Sequence, residues 1–159
     1  MRNCVLVVVP GAERAGNIAR ALSQSGWWAS VAASGTEALR RADILSPDII
    51  LLEASSDRAD IRAAAALKYR IDKRRAPAGK SLLIVLAGAN VDEDSFMGTL
   101  QPDLVLRSDV PTAVLRNAVL RLARHDAGRS QAAARVGLVR ARWRAAPTAP
   151  ARSTHGGPQ

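Results

Sequence analysis

The chain has 159 residues, enough for one domain with a sizeable core, and 48% of them are apolar. Aromatic residues make up only 3%, so the interior has to be built from Val, Leu, Ile and Ala. The net charge of +9 favours acidic partners, the single cysteine excludes an internal disulfide or a cysteine-based metal site, and no apolar run approaches the ~20 residues of a membrane helix.

The first apolar run, residues 4–9, reads as a strand buried on both faces. It is too short for the core of a signal peptide, so a cytoplasmic protein is expected. Ala15, Ile18, Ala19 and Leu22 then keep the spacing of one helix face, and Gly26 stops that helix. Trp28–Ala32 has the mixed character of an edge strand. Trp27 and Trp28 cannot both face the core of an alternating strand, so one of them is expected at the surface. Ser34-Gly35-Thr36-Glu37 reads as a capping box opening a second helix that buries Ala38, Leu39 and Ala42.

Residues 49–52 form the next doubly buried strand. A third helix starts near Asp57 or Asp60, includes the run 63–66 of alanines, and ends in Lys73-Arg74-Arg75 before Pro77 and Gly79. Residues 82–86 and 104–106 supply the last two strands, with a short helix around 92–99 between them. A fifth helix begins near Pro111 and is expected to bury Val114, Leu115, Ala118, Val119 and Leu122. The order βαβαβαβαβα implies an α/β fold. The expectation is a flavodoxin-like doubly wound parallel sheet of five strands, order 2-1-3-4-5, strand one central, helices on both faces. Sites in such folds lie at the carboxyl ends of the strands: here Val9–Glu13, Glu53–Asp57, Ala87–Asn90 and Arg107–Asp109.

No catalytic constellation appears at those positions. Gly11 and Gly16 have P-loop spacing, but Asn17 and Ile18 follow where Lys and Ser or Thr are required. Gly79-Lys80-Ser81 precedes a strand and reads as a turn. His125 and His155 have no partners in the sequence, no serine sits in a nucleophile elbow, and Cys4 opens an apolar strand as a small buried residue.

The stretch Gly26–Glu53 resembles the receiver domain of bacterial response regulators. The residues are Ala33-Ser34-Gly35-Thr36-Glu37-Ala38-Leu39, against A-x-G-x-E-A-L, and Pro47-Asp48-Ile49-Ile50-Leu51-Leu52-Glu53, against P-D-L-I-L-L-D. Val5–Val8 resembles the family's first strand. The resemblance extends over residues 4–124, with a few extra residues near 71–80. It implies stand-alone two-component, phosphorelay-type signalling, but the functional positions depart from the family. The acidic pair that holds Mg²⁺ in receivers falls on Val9 and Pro10, and neither offers the oxygen ligand that ion demands. The phosphorylated aspartate falls on Glu53 and the Met-Pro after it on Ser55-Ser56. The switch hydroxyl falls on Ala87, the switch aromatic on Val105, and the lysine on Ser108 with Arg107 beside it.

The resemblance therefore implies a degenerate pseudo-receiver that is not phosphorylated, binds no metal or other cofactor, and acts on a protein partner through the 4-5-5 face that receivers use. Glu53 is alternatively a permanent carboxylate in place of the phosphorylated group, with less charge and fewer acceptor oxygens than phosphate.

All 14 acidic residues precede position 127, and six arginines follow it. Residues 1–126 are thus expected to form the domain and 127–159 an unstructured basic tail, at most a short helix near 131–145. Arg135, Arg140, Arg142, Trp143 and Arg144 are candidate tail contacts for nucleic acid, with Val136, Val139 and Trp143 on one helical face and Pro147 and Pro150 ending it.

Overall fold

The structure is a computed structural model that describes the backbone of residues 3–42, 44–54, 57–77 and 79–144, and side chains up to residue 129. Five strands, β1 (Cys4–Val8), β2 (Trp28–Ala32), β3 (Ile49–Glu53), β4 (Leu82–Ala87) and β5 (Leu104–Arg107), form one parallel sheet in the order β2-β1-β3-β4-β5. They alternate with α1 (Ala12–Ser23), α2 (Gly35–Arg41), α3 (Arg58–Arg75), α4 (Asp94–Leu100) and α5 (Thr112–Arg144). This is the doubly wound fold expected from the sequence. β1 is paired on both sides, with β3 at the middle of the sheet.

Side chains alternate across the strands. Leu6, Val8, Ile50, Leu52, Leu83 and Val85 join one core with α2, α3 and α4, and Val5, Val7, Ile49, Leu51, Ile84 and Leu86 are buried on the opposite face. Each wholly buried Leu or Ile contributes about 1.5–3 kcal/mol, which is why β1, β3 and β4 appear as unbroken apolar runs, while Leu104–Leu106 of the edge strand β5 are only half-buried. Trp27 is buried while Trp28, at the start of edge strand β2, is 56% exposed.

Two proline–aspartate pairs fix the strand starts. Asp48 donates its N–H to the Cys4 carbonyl at 2.8 Å, and its Oδ2 accepts the Cys4 N–H at 2.8 Å. Asp103 repeats this with Leu83, donating to its carbonyl at 2.8 Å and accepting its N–H at 2.7 Å. Asp48 Oδ1 also takes Arg75 Nη1 at 2.9 Å, tying the end of α3 to the start of β3. Burial, then the Asp48 charge, pushes the Cys4 thiol up to about 11, with Arg75 acting against them.

The helices begin and end for local reasons. Ser34 caps α2 by accepting the Glu37 N–H, and Glu37 reaches back one residue beyond the cap to accept the Ala33 N–H, a shifted form of the box read in the sequence. Gly26, two residues past the cap of α1, adopts φ 86°, the left-handed conformation that turns the chain into β2. Asp57 caps α3 through the Ala59 N–H. A Cβ at Gly35 would stand 3.3 Å from that of Ala63, so small residues set the approach of α2 to α3.

Asp72, near the end of α3, receives both the N–H and the Oγ–H of buried Ser81 at 2.7 and 2.8 Å, and pairs with Lys68. Burial alone would raise the Asp72 carboxyl. The bonds from Lys68 and Ser81 outweigh it and hold the carboxyl below its ordinary value. The folded chain therefore binds this proton less readily than the unfolded chain. The stabilisation is complete above the unfolded value of about 3.9 and lost as pH falls through the lower folded value. Wild type should exceed Asp72→Asn in urea midpoint by a constant margin from neutral pH down to about 5, narrowing below about 4. A margin that widened in acid would contradict this assignment.

One expectation needs correction. Val114 is 50% exposed, because the buried stripe of α5 runs through Leu115 and Val119. The backbone of α5 continues through the boundary expected at 126–127 to Arg144, and so covers most of the short helix expected near 131–145. Ala, Arg and Gln are strong helix formers, and Gly128 and Gly137 cost only about 1 kcal/mol each. The chain divides into two compact units between Arg121 and Leu122. Pro147, Pro150 and His155 lie outside the described residues, as do Ser55 and Ser56.

Candidate functional site

The carboxyl edge of the sheet gathers most of the residues singled out in the sequence. Val9 follows β1 and is 1% exposed, its N–H donating to the Ala32 carbonyl at 3.2 Å. Pro10 is exposed beside it. Glu53 ends β3 half-buried, and Ala87 ends β4 buried. Ser108 follows β5 and donates its N–H to the Ala87 carbonyl at 2.8 Å.

Two open depressions lie along this edge. The first, of about 490 Å³, is lined by Pro10, Gly35, Glu53, Asp60, Val91 and Phe96 among others. The second, of about 590 Å³, lies at the ends of β4 and β5. Its lining includes Ala87, Gly88, Ala89, Val105 and Ser108, small or short side chains that leave the space open. The structure thus brings Pro10 and Glu53 to one depression and Ala87, Val105, Arg107 and Ser108 to the other.

Arg107 does not turn toward Glu53. Its Nε and Nη2 hold Asp109 in a two-pronged pair at 3.0 and 2.8 Å on the exposed rim. That pair raises the Arg107 guanidinium above its ordinary value. It lowers the Asp109 carboxyl, chiefly through the side-chain hydrogen bond, and the more distant charge of Arg14 adds to the lowering.

Arg14 is the residue that sequence reasoning missed. It sits in the first turn of α1, which opens directly off β1, and this places it at the same edge as Glu53. Its Nη1 lies 3.5 Å from Glu53 Oε1, with both side chains partly buried. Its buried Nη2 has no hydrogen-bond partner among the described residues. In the sequence Arg14 was a filler position between Gly11 and Gly16. The available signal was a cation in the first turn of the helix that follows β1, where a helix's own dipole disfavours one.

The residues do not fit a divalent cation. Among the described residues no three His, Cys, Asp or Glu side chains group to hold a metal. Mg²⁺ takes oxygen ligands, yet Val9 and Pro10 bring none from their side chains and the nearby carboxylate, Glu53, faces a guanidinium. Arg135, Arg140, Arg142, Trp143 and Arg144 lie on the described backbone of α5, and their side chains lie outside the described residues.

This sheet order with helices on both faces defines a flavodoxin-like fold. Solved structures similar to the chain are CheY-like response-regulator receiver domains. A receiver domain from Methanospirillum hungatei JF-1 matches with TM-score 0.66 and 12% identity, over 81% of this chain and 99% of that one. A two-component response regulator from Clostridium difficile matches with TM-score 0.63 and 14% identity, over 77% and 97%. The chemotaxis protein CheY4 of Vibrio cholerae matches with TM-score 0.62 and 15% identity, over 76% and 98%. At these identities the likeness is one of fold. No family model matches the chain, and no curated protein matches it in sequence. Among the described residues no helix is long and apolar enough to cross a membrane.

Proposed function

We propose that this chain is a receiver-like signalling module of the cytoplasm that works without phosphorylation or catalysis and acts by binding a protein partner. The observation that carries this reading is the Arg14–Glu53 pair. Where receivers place an aspartate, a metal ion and a lysine, this chain has a longer carboxylate whose neighbour is a guanidinium from its own first helix. Phosphoryl transfer depends on positioning and on neutralising charge over the transferred group. Val9, Pro10 and Ser108 supply no such charge, and Arg14 is engaged by the carboxylate itself.

The partner surface is the α4-β5-α5 face. β5 is an edge strand with half-buried Leu104, Val105 and Leu106, and Met97 of α4 and Val114 of α5 are 40% and 50% exposed. Exposed apolar groups beside an edge strand favour contact with another protein.

Incubation with acetyl phosphate and Mg²⁺, followed by intact-mass measurement, tests the reading. The wild-type mass should stay unchanged, and Glu53→Asp alone should stay equally inert. A gain of one phosphoryl group on the wild type, lost in Glu53→Gln, would overturn the proposal.

A further inference from the structure

We propose that the segment 129–144 of α5 is a duplex-DNA-binding helix, its arginines set in two rows that engage the phosphates on either side of a major groove. This goes beyond the protein-binding reading and does not depend on it. The backbone of this segment is continuous α-helix to Arg144. It carries Arg129, Arg135, Arg140, Arg142 and Arg144, and no acidic residue follows Asp126.

The order of residues around the helix carries the argument. At about 100° per residue, Ala132, Val136, Val139 and Trp143 fall within one stripe about 60° wide. Arg129, Arg140 and Arg144 fall on one side of that stripe, and Arg135 and Arg142 on the other. The positions opposite are mostly small or polar: Ser130, Gln131, Ala134, Gly137 and Ala141, with Leu138 the exception.

A helix about 10–12 Å across, side chains included, fits a major groove about 12 Å wide. The groove has two phosphate walls and a floor of base edges that includes thymine methyl groups. Two cationic rows flanking a narrow apolar stripe match that cross-section. A lipid surface asks for a broader apolar face than two valines, an alanine and a tryptophan provide. A continuous helix that runs from a folded unit into a groove is a known docking geometry for basic segments.

The test is fluorescence anisotropy of the full chain with a short, labelled, mixed-sequence DNA duplex between about 50 and 200 mM salt. Engagement of three to five phosphates gives a slope of log affinity against log salt between about −3 and −4.5. The combined variant Arg135→Gln, Arg140→Gln and Arg142→Gln keeps helix propensity, because Gln and Arg are near equals in helices. It should lose at least ten-fold in affinity at the lower salt, and its slope should shallow by about 2 to 3. The control Arg20→Gln, Arg40→Gln and Arg62→Gln removes the same charge from exposed positions of the first unit. It should stay within about two-fold of the wild type, as expected if those positions make no phosphate contact. Circular dichroism should show equal helix content in all three proteins. No binding by the wild type at the lower salt would overturn the proposal. So would equal losses in both variants, or tighter binding to vesicles containing phosphatidylserine than to the duplex.

Discussion

Phe96→Ala should destabilise the protein by about 3–5 kcal/mol, measured as the shift in urea unfolding free energy. Phe96 is the chain's single phenylalanine and is wholly buried among Ile, Leu and Val side chains. α4 has seven residues, includes Gly98, and has no side-chain cap at its start. Such a helix is marginal by itself and owes its place to tertiary packing. Phe96 and Leu100 are its two buried residues. Removal of the ring leaves a cavity that stiff aliphatic neighbours cannot close, and the loss exceeds the transfer energy alone. Met97→Ala, one residue along and 40% exposed, should change stability by no more than about 0.5 kcal/mol. A loss below about 1 kcal/mol in Phe96→Ala would show that α4 is held by something else.

Asp48→Ala should cost about 2–3 kcal/mol, more than Asp103→Ala at about 1–2 kcal/mol. Both remove the acceptor of a strand-opening N–H, but only Asp48 also holds an arginine, Arg75, whose side chain is 17% exposed. A buried N–H without an acceptor, beside a cation without its counter-ion, is costlier than the N–H alone. Asp48→Asn should fall between, since an amide oxygen can still accept from Cys4. Urea midpoints of the three variants check the order. Equal losses at 48 and 103 would mean that the Arg75 contact contributes nothing.

The strands were legible because a strand buried on both faces writes its burial as consecutive apolar letters, as Val5–Val9 and Ile49–Leu52 do. α2 was legible through Ser34 and Glu37, a local signal three residues apart. α4 was only faintly legible, because its existence rests on what Phe96 touches across the fold rather than on propensity. In α5 the sequence marks two helical stretches, one opening near Pro111 and one near 131–145, but not their continuity through Gly128 to Arg144, because a glycine that costs about 1 kcal/mol is too weak a signal to decide whether a helix stops. At the candidate site, Glu53 and its altered neighbours could be placed from spacing. Arg14 could not, because its pairing depends on how α1 comes off β1, and no short-range pattern encodes that approach. Asp48 and Asp103 were visible as letters, while their shared bonding appeared only in three dimensions.

The two aspartate locks stand at the amino-terminal rim of the sheet, and Val9, Pro10, Glu53, Ala87 and Ser108 stand at the opposite rim. Alignment is thus decided at one pole and surface chemistry at the other. A substitution at an exposed position of the second pole, such as Pro10, leaves the Cys4 and Leu83 bonds in place where the strands begin. The architecture works as a chassis with an end plate: what sets the strands' alignment is bolted at one end, and what meets a ligand or partner is mounted at the other.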